Sequence, residues 1–145
     1  MQKFLELEVT TPTRTFFNQK IKQFSFRAID GDMTILYNHA PIMTIADIGI
    51  MHITDMDGKV LDATLFGGSV LVENNKILVV TDDALWPDEV DIQRAEKSKK
   101  KAQEMMSSFK TNKQEFVTAE HRLKRALARI DLANTYEGIR RHEKL

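Results

Sequence analysis

The feature that most limits how this chain can fold is a change of pattern at Trp86-Pro87-Asp88. Before it, short apolar runs are punctuated by turn residues every 8–12 positions or so, as in a β-sandwich or barrel. After Pro87 there is no further proline, and apolar residues recur at three- and four-residue steps. One element cannot satisfy a period of two and a period of 3.6 together. The chain therefore divides into an all-β body, residues 1–86, and a helical tail, residues 87–145. Pro87 suits the first turn of a helix, where its missing N–H is not needed.

Within the body, Leu5-Glu-Leu-Glu-Val9 alternates like a half-buried strand. Thr11-Pro12-Thr13 breaks it with a turn. The run Ile21 to Ala28 puts Phe24, Phe26 and Ala28 on one face. Asp30-Gly31 leads into Met33 to Leu36. Ile48 to Thr54 and Lys59 to Phe66 flank Asp57-Gly58, a hairpin signal. Ser69 to Val72 and Ile77 to Thr81 flank Asn74-Asn75, a second one. The pair Gly67-Gly68 lacks the Lys-Ser/Thr of a phosphate loop and predicts a bulge or a close backbone approach.

In the tail, Ile92, Ala95, Ala102, Met105 or Met106, and Phe109 form one helical stripe. Ser107-Ser108 and Thr111-Asn112 mark a break. Phe116, Ala119, Leu123, Leu127 and Ile130 form the next stripe, with Ala126 and Ala133 alongside. Two helices and a short loop predict an antiparallel hairpin. So small a unit buries little surface by itself, and its docking is expected to be weak and movable.

No apolar run approaches the roughly 20 residues needed to cross a bilayer, and the N-terminus lacks the apolar core of a secretion signal. There is no cysteine, which removes disulfides, thiol catalysis and cysteine-ligated metal. The formal net charge is zero but unevenly spread. Residues 1–86 hold 7 Lys/Arg against 11 Asp/Glu, and residues 87–145 hold 14 against 10. A cationic tail on an anionic body suggests that the tail meets an anionic surface. It is only mildly cationic and has few aromatic residues to stack bases, so no nucleic-acid partner is expected.

No catalytic residue is expected. His39 has no partner at a spacing that suggests general base chemistry. The other histidines, His52, His121 and His142, form no ligand pattern, and no metal is expected. His39-Ala40-Pro41 reads instead as a stiff corner, because Pro41 fixes its own φ and pushes Ala40 toward an extended shape.

The run Gly31-Asp-Met-Thr-Ile-Leu-Tyr-Asn-His-Ala-Pro41 resembles the Gly-Glu-Leu-Gly-Ile-Leu-Pro-Gly-His-Ala-Pro run of F-type ATP synthase epsilon subunits. Asp32 stands where that family has its acid, and Tyr37-Asn38 replaces Pro-Gly. Gly67-Gly68, the end Val79-Val-Thr-Asp82, the helix from Val90 to Phe109 and the run Leu123 to Ile130 follow in the family's order. The resemblance implies a β-sandwich of about ten strands followed by a helical hairpin. It implies a noncatalytic rotor subunit that couples the catalytic head to the membrane c-ring during proton- or sodium-driven ATP synthesis. Its partners would be the gamma subunit and the c-ring, with the alpha and beta subunits joining in an inhibited state. The membrane would be reached through the complex alone, at the cytoplasmic face of a bacterial cell membrane rather than a thylakoid.

By residue match, Asp32 and His39 fall in loops expected to face the c-ring and gamma. Arg122, Lys124, Arg125 and Arg129 fall on the helix that inhibits hydrolysis by meeting the catalytic head. No cofactor is required, but ATP is a candidate regulatory ligand. Val90-Asp-Ile-Gln-Arg-Ala95 is similar to an ATP-binding signature in some bacterial members, which nominates Asp91, Arg94, Arg125 and Arg129. Leu85 stands where that signature has an upstream acid, and Asp91 also suits a simple helix cap. The alternatives are a stalk connector without inhibition and an ATP-sensing module.

Overall fold

The computed structural model of the chain describes residues 3–143, with side chains through Thr135. It divides into two compact units, Met1–Leu85 and Trp86–Leu145.

The first unit is built from β1 (Leu5–Thr10), β2 (Thr15–Ala28), β3 (Gly31–Ile35), β4 (Ile42–Asp55), β5 (Val60–Glu73) and β6 (Lys76–Val80). The sheet order is β1-β6-β5-β4-β2-β3, and β1 also pairs with β2. That extra pairing closes five strands into a ring with β3 attached beside β2. Closure removes most of the exposed sheet edge, a hazard for aggregation. Leu5, Leu7, Val9, Ile21, Phe24, Phe26, Met51, Ile53, Val70, Val72, Ile77 and Val79 fill the interior. The alternation in Leu5–Val9 and the shared face of Phe24, Phe26 and Ala28 are thus realised.

There are six strands among the described residues, where the resemblance implies about ten. The reason lies in β2, β4 and β5, each 14 residues long. β2 pairs with β1 through its first half and with β3 and β4 through its second. β4 exposes Met43 and Ile45 yet buries Met51 and Ile53. Residues an even number apart share a face of a regular strand, so β4 swaps faces between these pairs. β5 swaps likewise, burying Leu65 and exposing Leu71. The swap falls where Asp47 and Gly67 drop out of an otherwise continuous register. Each long strand turns a corner without ending, and one strand does the work of two.

The glycine pair makes that corner. Gly67 has φ +76° and Gly68 φ +113°, a region L side chains rarely adopt. A Cβ on Gly68 would stand 2.0 Å from the Val80 carbonyl oxygen. Asn74 and Asn75, with φ 52° and 62°, form the two-residue primed turn that suits a twisted hairpin. At the β4–β5 turn the Asp55 carboxylate accepts from the N–H groups of Asp57 and Lys59, both at 2.9 Å. Residues 81–85 then run beside β5 without being a strand. Leu85 O accepts from Thr64 N at 3.0 Å, and Thr64 Oγ1 accepts from Leu85 N at 2.9 Å.

The second unit holds a single 3-10 turn at Pro87–Glu89, then α1 (Ile92–Ser108) and α2 (Lys113–Glu143). Ser107-Ser108, expected to mark part of the break, lies inside α1. Glu89 Oε1 accepts from Trp86 N at 2.9 Å, which closes the entry turn. Asp91 caps α1 by accepting from Arg94 N at 3.1 Å. Asn112 caps α2 by accepting from Glu115 N at 3.3 Å. Asp91→Ala is expected to cost the helical unit about 1 kcal/mol and Asp91→Asn much less. Urea unfolding followed by far-ultraviolet circular dichroism checks this, and equal losses would remove the cap from the account.

The two helices meet along alanines. Ala95 and Ala102 on α1, and Ala119, Ala126 and Ala133 on α2, are buried at seven-residue steps. Leu123 and Ile130 are only half-buried, and Leu127 is exposed. The sequence stripe therefore has its centre displaced onto its small members. Small side chains let two backbones approach closely, which pushes large ones to the flanks. A buried methyl adds roughly 0.8 kcal/mol, against about 1.5–3 for a leucine; with Leu132 the one large side chain fully buried among the described residues of this unit, the seam holds the hairpin lightly.

Candidate functional site

Strand register lays out a grid on the outer face of β1, β6, β5 and β4. One row reads Glu6, Lys76, Glu73 across the strands. The next reads Glu8, Leu78, Leu71, Met43, and the third Thr10, Val80, Ser69, Ile45. Met43, Ile45, Leu71, Leu78 and Val80 are 37% to 76% exposed. Five large apolar side chains side by side on a sheet form a contiguous patch, unlike scattered surface leucines. Sequence reasoning did not single these residues out. The signal was present: Val70-Leu-Val72 and Ile77-Leu-Val-Val80 are apolar on both faces, so one face had to look outward or be covered.

At the lower border of this grid, two loops and the start of β1 are tied together. Asn38, with φ 64°, donates its N–H to Asn75 Oδ1 at 2.7 Å, and Asn75 Nδ2 donates to Asn38 Oδ1 at 3.3 Å. Asn75 O accepts from Glu6 N at 2.9 Å. The His39 corner is therefore pinned to the turn between β5 and β6. His39 N donates to Leu36 O at 3.1 Å, and Nδ1 donates to Ala40 O at 2.7 Å. The ring is held by its own corner. Tyr37 and Leu36 are exposed beside it.

Asp32 is placed differently. It lies within β3, not in a loop, opposite Arg27 of β2. His39 follows the far end of that strand. Five strand residues span roughly 17 Å, so the two positions nominated for one partner stand at opposite ends of β3.

In the helical unit Arg122 and Lys124 are exposed, while Arg125 and Arg129 are half-buried and engaged in interactions. Arg122 also reaches Met105 Sδ at 3.6 Å. Arg122, Arg125 and Arg129 share one side of α2, and Lys124 points away from them. Asp91 has its carboxylate occupied by the α1 cap, and the Arg94 side chain is exposed. Counting outward from the loop at 109–112, Arg94 of α1 comes level with Leu127 of α2, between Arg125 and Arg129.

Ser25, His52 and Asp62 lie opposite one another on β2, β4 and β5. His52 Nδ1 is 2.5 Å from Asp62 Oδ1. The Ser25 hydroxyl instead pairs with Thr34 Oγ1 at 3.0 Å on an exposed sheet face. A nucleophile needs its base within reach, and this row does not supply that. Among the described residues no group of three or more His, Cys, Asp or Glu is placed to hold a metal ion. The His142 side chain lies outside the described residues.

Comparison with known proteins agrees with this two-part build. Residues 4–87 match the family described as ATP synthase, Delta/Epsilon chain, beta-sandwich domain. Residues 88–134 match the same chain's long alpha-helix domain. The chain is 36% identical over 140 residues to the ATP synthase epsilon chain of Caldanaerobacter subterraneus subsp. tengcongensis, spanning 96% of this chain and 100% of that one. It is 35% identical over 102 residues to the sodium ion specific epsilon chain of Acetobacterium woodii, spanning 70% and 77%. In fold it is similar to a chain of the Euglena gracilis mitochondrial ATP synthase, with TM-score 0.78, 18% identity, and 88% and 80% of the two chains covered. With both units matched in order and 36% identity across 96% of its length, the chain belongs to the ATP synthase delta/epsilon chain family, as a noncatalytic stalk subunit of the epsilon type.

Proposed function

We propose that the chain works in the central stalk, seating its β-unit on the gamma subunit and the c-ring and restraining ATP hydrolysis through its helical unit. The exposed apolar grid of Met43, Ile45, Leu71, Leu78 and Val80 carries this reading. An apolar patch on a rigid sheet is what a lasting subunit contact needs, because its burial supplies the association energy. The gamma subunit takes the grid, and the c-ring takes the exposed corner of Leu36, Tyr37 and His39. Asp32 stands at the other end of β3 and would serve a separate contact, worth only about 0–1 kcal/mol if it stays exposed.

The helical unit supports the regulatory half of the reading. Its alanine seam holds it lightly, and Arg122, Arg125 and Arg129 give it a cationic side for acidic segments of the alpha and beta subunits. Complementary charge sets register and approach more than affinity. The working place is the cytoplasmic face of a bacterial membrane, in a machine driven by protons or sodium ions. Among the described residues no helix is long and apolar enough to cross a membrane.

The test is to reassemble the ATPase with the full chain and with a chain ended after Trp86. Hydrolysis is expected to rise several-fold on truncation while gamma stays bound. Equal rates would leave a stalk connector without inhibition. A second reading, ATP as a regulatory ligand, is favoured by Arg94 lying level with Arg125 and Arg129. Calorimetry of the chain against millimolar ATP tests it, and absence of both heat and stabilisation would remove it.

A further inference from the structure

The apolar grid has a border rich in carboxylates on the side of the β5–β6 turn. Glu8 ends the row that runs through Leu78 and Leu71, and Glu6, Lys76 and Glu73 form the neighbouring row. Between them lies a surface depression of about 440 Å³ lined by these four charged residues together with Leu71 and Leu78. Lys76 Nζ stands 4.0 Å from Glu6 Oε2. Among the described residues no cation pairs with Glu8 or Glu73. Three carboxylates thus face two ammoniums, Lys76 and the Lys20 that stands opposite Glu6 on β2, beside a patch that has to be dried for docking.

We propose that the segment seated on this face presents apolar side chains to Leu71 and Leu78 and a lysine or arginine to the depression between Glu8 and Glu73. This rests on the reading of the grid as the gamma site, and it adds the chemistry the partner must carry there. Burying apolar surface next to a carboxylate strips its water, and the loss is offset only by a paired charge. A second copy of this chain fits poorly. A two-fold contact through the same face brings the same border to both sides, and this border holds an excess of carboxylates. A partner with a cation next to an apolar run meets both requirements. A cation at the rim acts on the encounter, pulling the partner in before the apolar contact forms.

The measurement is the rate of gamma binding to the full chain, followed at low and at high salt. Three proteins are compared: the unsubstituted chain, Glu8→Gln/Glu73→Gln, and Glu8→Lys/Glu73→Lys. Both residues are exposed, so neither change disturbs the interior. The neutral pair is expected to slow association roughly 3- to 10-fold at low salt, and the reversed pair more, with the differences shrinking at high salt. The dissociation rate should change much less. If all three associate at the same rate, or the reversed pair associates faster, the cation is not there, although gamma still docks on the grid. If the unsubstituted chain fails to bind gamma at all, the gamma reading falls and takes this inference with it.

Discussion

Gly68→Ala is expected to cost the β-unit about 3–5 kcal/mol, the largest loss among alanine replacements of the described glycines. Two effects combine. The backbone at Gly68, with φ +113°, is strained for any residue with a Cβ, by about 1–3 kcal/mol. The new methyl would also stand 2.0 Å from the Val80 carbonyl oxygen and 2.9 Å from Thr81 Cα. Those are backbone atoms at the end of β6 and just beyond it, and they cannot swing aside. Relief requires β5 and β6 to part, next to the corner that lets one strand serve two faces. Gly58→Ala is the control: φ is +85°, but nothing lies within 4 Å of the added Cβ. It should cost only about 1–2 kcal/mol. Small domains are stable by about 5–15 kcal/mol, so the Gly68 variant should be largely lost from soluble expression or unfold at far lower urea. Equal midpoints for the two variants would mean that the close approach is not a constraint on this fold.

The second large effect is on assembly. Leu71→Asp with Leu78→Asp places two carboxylates in adjacent positions of the apolar grid. Both leucines are exposed in the free chain, so stability should move by only about 0.5 kcal/mol per site. At a dried interface the same change removes two apolar contacts and buries charge. The loss should reach about 3–4 kcal/mol, two to three orders of magnitude in Kd for gamma. Thr34→Asp, exposed on β3 away from the grid, should leave binding unchanged. Binding measured by calorimetry, alongside unfolding midpoints, separates a docking defect from misfolding. Unaltered affinity in the double variant would move the gamma contact off this face.

Much of this build is legible in the residues themselves. The switch of period at Pro87 divides strands from helices because no element tolerates both patterns. Asn74-Asn75 announces its turn because asparagine accepts positive φ at low cost. Asp91 announces a helix start because a short side-chain oxygen satisfies an orphan N–H. The strand count is not legible. Gly67-Gly68 announces a bulge or close approach, but only the pairing of both halves of β5 with β4 shows one strand turning a corner. The exposed apolar face is hidden for a related reason. An apolar run such as Ile77-Leu-Val-Val80 is consistent with burial on both sides, and only the completed sheet reveals which side was left open. The helix seam is obscured by size. Hydrophobic period marks the right side of each helix but cannot say that alanines take most of its centre, with Leu132 the large side chain that joins them. The separation of Asp32 from His39 follows from β3 lying between them, which closeness in sequence conceals.

The most direct measurement replaces Leu78 with a photo-reactive phenylalanine analogue and irradiates the assembled complex. The proposed function assigns the gamma contact to this grid, and Leu78 is near its middle. The account predicts one dominant cross-linked product, formed with the gamma subunit and unchanged when the helical unit is removed. A product formed only with the catalytic subunits or the c-ring, or no product from a fully assembled complex, would contradict it.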